Sequence, residues 1–489
     1  MRTFLFRIRG AHAVADPAHG HRAKPCDACL VSYLRHDLVS SLSAFSKAAS
    51  LKMATEPMHR GTRSHKPSGE ESVLQKLGPG LITGAADDDP SGIATYSQLG
   101  AQFGMGMLWT ALFSFPLMSA IQEICARLGR ITGCGLAACM SERFPKPLVV
   151  ALVGLLCVAN IFNLGADVAA MGAAMQLLVG GHPAFYSVFF GAISLFLQIF
   201  VPYRKYVKYL KWLTFSLLAY FATVFVVHVP WLNVLKATFV PSFQWNSTYW
   251  TALVAMLGTT ISPYLFFWQT SQETEELRSR KNEAALKRTP WQAVRQFRRI
   301  ATDTRIGMAF SNLVAFAIIL TAAVTLHGQG NTKELLTAAD AANALRPVAG
   351  QFAFALFALG VVGTGMLAVP VLAGSAGYAV SELFHWRASL RRKAHEVPQF
   401  YTVISLATAI GVGLNFVGLD PIKALYWSAV LNGVASAPLM IVLMKLSDDP
   451  KTVQQFRLPQ YLRVLGWLAT MVMISASLFL LYVTVFSAK

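Results

Sequence analysis

The chain has 489 residues, of which 54% are hydrophobic and only 13% charged. Soluble globular proteins carry about 25% charged residues, so this composition excludes a large soluble domain and points to a membrane protein. The net charge of +18 is placed where membrane topology requires it, and no nucleic-acid partner is expected.

Residues 1–70 differ in composition from the rest, with 11 Lys or Arg against 5 acids and 6 of the 11 His. They read as a basic, disordered N-terminal extension or as sequence upstream of the native start. Cys26-Asp27-Ala28-Cys29 lies near His19 and His21 without a second CxxC pair, so a metal-binding tail is the weaker reading. The six cysteines are too scattered for a disulfide framework, and no stable disulfide is expected. The transmembrane domain is assigned to residues 71–489.

Apolar runs long enough to cross about 30 Å of hydrocarbon fall at 77–102, 105–126, 148–178, 184–201, 209–229, 250–271, 306–326, 351–382, 401–419, 424–445 and 462–486. These eleven spans predict an all-α polytopic membrane protein. Lys and Arg alternate between their connections. They concentrate at Arg127 to Lys146, Arg204 to Lys208, the nine basic residues from Arg278 to Arg305, and Arg387 to Lys393. Cytoplasmic loops carry such an excess, so the N-terminus is expected in the cytoplasm and the C-terminus outside, in a bacterial inner membrane. Anionic lipid or a partner is the alternative reading of these basic runs.

Ionisable residues inside spans are costly and therefore functional candidates. Only Asp87, Asp88, Asp89 and Asp167 lie deep in the spans, while Glu123 and Glu382 are expected at water-accessible ends. The five His after residue 70 fall at helix ends or in loops, which does not support an intramembrane zinc site. No nucleophile lies beside a base within a span, so the chain is not expected to be an enzyme.

In the first span, Ala86-Asp87-Asp88-Asp89-Pro90-Ser91-Gly92 cannot continue as a lipid-facing helix, because Pro removes a backbone donor and Gly weakens the helix. Unwound backbone at membrane depth is tolerated where it lines a cavity, so the freed carbonyls and the acids form an oxygen-rich cation site. The sixth span is interrupted in the same way at Gly258-Thr259-Thr260-Ile261-Ser262-Pro263-Tyr264. Breaks five helices apart match the inverted five-helix repeats of secondary transporters.

These residues resemble the NRAMP family of divalent-metal transporters. Gly78-Pro79-Gly80 and Asp89-Pro90-Ser91-Gly92 look like its first-helix GPG…DPGN signature, and Arg127 to Gly133 like its turn after the second helix. Gly258 to Tyr264 is similar to its sixth-helix GATVMPH segment, and Asp167 to the Asp of its DLAE motif. The resemblance covers about residues 77–486. It implies eleven or twelve helices of the LeuT type with helices 1 and 6 broken, alternating access, and a divalent metal bound as substrate, with no cofactor. By position it implies Asp89 as the principal carboxylate ligand and the Thr259 carbonyl as another.

The departures are equally informative. The family's Asn ligand is Gly92 here and its thioether Met is Ser262. Carboxylate, carbonyl and hydroxyl groups suit Mg²⁺ and Mn²⁺, whereas sulfur selects softer metals. Mg²⁺ keeps several waters when protein-bound, so the site is expected to favour Mg²⁺ and/or Mn²⁺, as in the NRAMP-related magnesium branch. Asp88 is read as a further carboxylate of the site, and Asp87 as less involved. The family's proton-relay His and Glu are Tyr264 and Ala170, so weakly coupled or uncoupled transport is expected. Asp167 either belongs to the ion path or accepts hydrogen bonds from Asn160 or Asn163. Asn432, near Ala437-Pro438, either faces the site or joins helices. Gln269, Gln272, Glu273 and Glu275 are expected as a solvated helix end, with the lining of a cytoplasmic exit as the alternative. The transport unit is expected to be monomeric in the lipid bilayer. The alternatives are a proton-coupled Mn²⁺/Fe²⁺ transporter of the same family, or a small-solute/cation symporter on the same fold.

Overall fold

The computed structural model describes residues 83, 84, 86–201, 216–280, 283–327, 337–418 and 420–486. The chain divides into two units, Met1–Glu70 and Glu71–Lys489, and the first, with its CxxC pair, lies outside the described residues.

Residues 83, 84, 86 and 87 are helical and precede α1 (Pro90–Phe103), α2 (Leu108–Thr132), the short α3 (Leu136–Ser141), α4 (Lys146–Val179) and α5 (Pro183–Phe200). Next come α6 (Leu218–Val226), α7 (Trp231–Phe239), α8 (Ser247–Thr260), α9 (Pro263–Ser279) and α10 (Ala293–Thr325). The chain continues through α11 (Ala338–Asn343), α12 (Arg346–Ala349) and α13 (Ala353–Leu383). It closes with α14 (Pro398–Leu414), α15 (Pro421–Asp448), α16 (Pro450–Val453) and α17 (Gln460–Phe486). No strand occurs among the described residues.

Nine helical stretches among the described residues are long and apolar enough to span a bilayer. The expectation of eleven differs for two reasons. The first two spans join through a 3-10 turn at Gly104–Met107 into one run, Pro90–Thr132. Of the fifth, residues 209–215 lie outside the described residues. The surface helix α7 and the capped turn α11 fall in connections that hydropathy alone leaves unstructured.

Proline starts many of these helices. It occupies the first turn of α1, α4, α5, α9, α14 and α15, where its missing N–H is unpaired in any case and its φ is already helical. Pro116, Pro370 and Pro438 instead lie inside α2, α13 and α15 without ending them.

Both predicted interruptions are present. Asp89 is extended (φ −73°, ψ 170°) and caps α1, its side chain accepting from the Gly92 N–H. Between α8 and α9, Ile261 and Ser262 leave the helical region and Pro263 restarts it. The helices that carry these breaks sit in the interior: α1 packs on α10 and α15, α8 on α15, and α9 on α2 and α13. Small residues allow this approach. A Cβ on Gly258 would stand 2.1 Å from the Ala429 carbonyl oxygen and 2.4 Å from the Gly433 nitrogen, so α8 and α15 meet backbone to backbone. Likewise a Cβ on Gly84 would stand 2.3 Å from the Gly307 carbonyl oxygen.

The basic residues in the last turns of α2 and the first turns of α10 gather with acids at one end of the bundle, called here the basic end. Arg127 and Arg305 pair with Glu123, Arg130 with Glu283, and Arg299 with Glu273. Two expectations fail here. Glu123 is 1% exposed and doubly paired rather than open to water. Of the four polar residues expected as a solvated end of α9, Gln269, Glu273 and Glu275 are buried and Gln272 is half-buried, with Glu275 accepting from the Tyr378 hydroxyl and the Leu390 N–H.

Candidate cation site

The break before α1 presents three carboxylates, Asp87, Asp88 and Asp89, none more than 2% exposed. None has a Lys, Arg or His within ion-pair distance among the described residues. Asp87 and Asp88 turn to one side and Asp89 to another, and no group of three or more His, Cys, Asp or Glu side chains among the described residues converges on a metal-binding point.

Asp89 is held by donors from three helices. Its Oδ1 accepts from the Ser91 hydroxyl at 2.6 Å and the Gly92 N–H at 2.8 Å. Its Oδ2 accepts from the Asn163 amide at 3.0 Å and the Tyr264 hydroxyl at 3.5 Å. Tyr264 also donates to the Ala86 carbonyl at 3.1 Å, tying α9 to the end of the preceding helical stretch. Asn163, on α4, accepts in turn from the Ser428 hydroxyl of α15 at 2.6 Å.

Asp87 and Asp88 turn toward α10. The Ser311 hydroxyl lies 2.7 Å from Asp87 Oδ2 and 3.0 Å from Asp88 Oδ1. A hydroxyl has one proton to donate, so it satisfies one carboxylate at a time. Asp87 Oδ1 and Asp88 Oδ2 are buried without hydrogen-bond partners. Buried charge without a partner is costly, and the arrangement suits a group that arrives with positive charge.

The opposite wall is the end of α8. Ser262 does not present a free hydroxyl, because it donates back to the Gly258 and Thr259 carbonyls at 2.7 and 2.9 Å. The Ile261 carbonyl accepts from Ser436 of α15 at 2.7 Å. The Thr259 hydroxyl is buried without a partner, as is that of Tyr96. Both border Gly92, whose Cβ, if present, would stand 3.2 Å from the Tyr96 ring and 3.4 Å from Thr259 Oγ1. The helix ends thus bring acids, carbonyls and hydroxyls together at membrane depth, a donor set suited to a hard cation.

Residues 80–483 match the model of the family described as Natural resistance-associated macrophage protein-like, Nramp. The chain belongs to the Nramp family. It is 26% identical over 434 residues to "Divalent metal cation transporter MntH" of Pectobacterium carotovorum, covering 87% of this chain and 98% of that one. Its fold matches the Eremococcus coleocola manganese transporter at a TM-score of 0.68 with 19% identity, covering 85% and 88% of the two chains. It also matches Mhp1, a nucleobase-cation-symport-1 family transporter in a closed conformation, at a TM-score of 0.54 with 14% identity over 83% and 92%. This Nramp chain is therefore an integral multi-pass membrane protein of the LeuT-type fold.

Within that frame, Asp88, Asp89, Gly92, Thr259, Ser262 and Tyr264 are gathered around the two breaks. Asp167 is fully buried nearby on α4, and its carboxylate has no hydrogen bond of ordinary geometry. The reading of Asp167 as acceptor for Asn160 or Asn163 fails: Asn160 donates to the Leu372 carbonyl and to Ser375, and Asn163 to Asp89. Asn432 is buried on α15 with both amide atoms unpartnered. Sequence reasoning missed Ser311, Ser428 and Tyr96. Ser311-Asn312, a polar pair in the middle of an apolar span, was the available signal for the first.

Proposed function

We propose that this protein carries divalent metal cations, Mg²⁺ and/or Mn²⁺, across the membrane by alternating access at the paired helix breaks, with its basic end facing the cytoplasm. The observation that carries the reading is the group Asp87, Asp88 and Asp89, buried at the break before α1 without a basic partner. Family membership and the name of the Pectobacterium relative support the substrate class.

In this reading Asp89 is the principal ligand. The four donors around it hold the carboxylate in place, and a cation displaces Asn163 or Tyr264 from Oδ2. The free oxygens of Asp87 and Asp88 supply further negative charge, and the Thr259 carbonyl and hydroxyl contribute from α8. With Ser262 in place of a thioether and no side chain at residue 92, the donors are all hard oxygen atoms, which favours Mg²⁺ and Mn²⁺ over softer ions. Tyr264 and Ala170 offer no proton relay of the family type, so transport runs on the metal gradient and on membrane potential, worth about 2.3 kcal/mol per charge per 100 mV.

The test is uptake of Mg²⁺ and of Mn²⁺ into proteoliposomes containing the protein or Asp89→Ala, with a pH dye inside. Metal influx abolished by the substitution and unaccompanied by acidification is expected. Manganese-selective influx with acidification of the lumen would replace this reading with proton-coupled Mn²⁺ transport.

A further inference from the structure

A cavity of about 650 Å³ lies at the basic end, between the last turns of α9, the start of α3 and the segment that follows α13. Four arginines line it, Arg278, Arg387, Arg391 and Arg392. Two acids also line it, and both already accept hydrogen bonds. Glu382 accepts from the Ala137 and Ala138 N–H groups and from the Ser271 hydroxyl. Glu275 accepts from Tyr378 and Leu390.

Arg278 and Arg387 are consequently under-neutralised, and Arg392 nearly so. Arg391 approaches Glu275 at 3.4 Å, and Arg392 reaches Glu396 only at 4.0 Å. Arg278 contacts the Gly133 carbonyl at 3.5 Å, and neither it nor Arg387 has a carboxylate within ion-pair distance among the described residues. The local backbone places Arg387 there. His385 takes a left-handed conformation (φ 57°) at the end of α13, and the Trp386 N–H donates to the Ser381 carbonyl at 2.7 Å. That is the hydrogen bond of a Schellman-type helix end, and it turns Trp386 and Arg387 over the cavity.

Basic residues that only orient the chain in the membrane need no cavity and no convergence. Here they surround a space of ligand size with planar donors that match phosphate oxygens in pairs. We propose that this cavity binds a phosphate-bearing anion, either a free phosphate ester or a phospholipid headgroup, which bridges Arg278 to Arg387 and Arg392. Arg278 belongs to α9, the second half of an interrupted helix, and the other two to the segment after α13. A bound anion therefore ties α9 to α13 and slows transport.

The test uses the full-length protein in phosphatidylcholine nanodiscs, titrated with AMP in metal-free buffer containing EDTA. Saturable binding is expected, weakened at least about tenfold in R278Q/R387Q and largely retained in R278K/R387K. In proteoliposomes, AMP on both faces should slow Mn²⁺ uptake by the wild type and leave R278Q/R387Q unaffected. Should phosphatidylglycerol in the bilayer suppress AMP binding and itself slow uptake by the wild type alone, the headgroup is the natural ligand and the proposal stands. No saturable AMP binding together with no effect of phosphatidylglycerol would overturn it, as would identical behaviour of the wild type and R278Q/R387Q when both unfold at the same temperature.

Discussion

Asn163 donates its side-chain amide to Asp89 Oδ2 at 3.0 Å, joining the middle of α4 to the break before α1 across 74 positions of sequence. The Ser428 hydroxyl fixes the amide by donating to its oxygen at 2.6 Å. Asp89 is thus oriented by a relay from α15 through α4, and both donors are buried.

Removing this relay should weaken metal handling without removing the ligand. Loss of a partner that orients a ligand commonly costs about 10- to 100-fold in metal affinity or activity. Asn163→Ala is expected to reduce uptake of Mn²⁺ or Mg²⁺ within that range, and Ser428→Ala by less, while Asp89→Ala leaves no measurable uptake. Initial rates in proteoliposomes at matched protein density provide the check. Wild-type rates in Asn163→Ala would show that the hydrogen bond does not orient Asp89 for metal.

The donor set at the break of α8 makes a selectivity prediction. Ser262→Met places a thioether where the hydroxyl now bonds to the Gly258 and Thr259 carbonyls. Uptake of Mn²⁺ and Cd²⁺ should rise relative to Mg²⁺, because soft donors favour softer ions. Gly92→Asn alone should not reproduce this change, since its Cβ meets the Tyr96 ring at 3.2 Å. Competition of each metal against Mn²⁺ uptake measures the ratio, and an unchanged Mg²⁺ to Mn²⁺ ratio in Ser262→Met would count against selection at this position.

Packing of α8 against α15 can be tested through stability. Gly258→Ala forces its methyl group against the Ala429 and Gly433 backbone at 2.1 and 2.4 Å, and backbone yields less readily than a flexible side chain. A cost of about 1–3 kcal/mol is expected, the usual range for overpacking, seen as a lower unfolding temperature in detergent. Gly154→Ala is the internal control, because no atom beyond its chain neighbours and its own helix backbone lies within 4 Å of the added Cβ. Equal effects of the two substitutions would remove the packing argument.

Acid should act on the basic end through Glu283. Burial works against its charge, but the hydrogen bond and charge of Arg130, together with Arg280, outweigh it and hold the carboxyl below its ordinary range. A depressed carboxyl stabilises the fold above its unfolded value, near pH 4.3, and that contribution is lost as pH falls through the folded value. The unfolding temperature should therefore drop on acidification below about pH 4.5, and Glu283→Gln should show a smaller drop from a lower start. Arg130 is 0% exposed, so the neutral variant leaves a buried unpaired charge, worth about 3–5 kcal/mol. A Glu283→Gln protein as stable as the wild type at pH 7 would contradict this.

The sequence by itself determined that the chain is built of long apolar helices and where two of them break. Long apolar runs have few ways to satisfy their backbone in lipid other than as helices, and Asp89-Pro90 and Ser262-Pro263 stop and restart a helix through bonds made within a few residues. Their family resemblance was legible for the same reason, because the motifs are local. Only the tertiary structure decided what each acid does. Asp87 and Asp88 meet Ser311 and Asp89 meets Asn163, while Glu123 and Glu275 at the basic end are buried among partners from other helices and loops rather than solvated. Hydropathy registers how apolar a segment is, whereas the hydrogen-bond partner of a buried carboxylate is set by helices that lie far apart in sequence and adjacent only once packed.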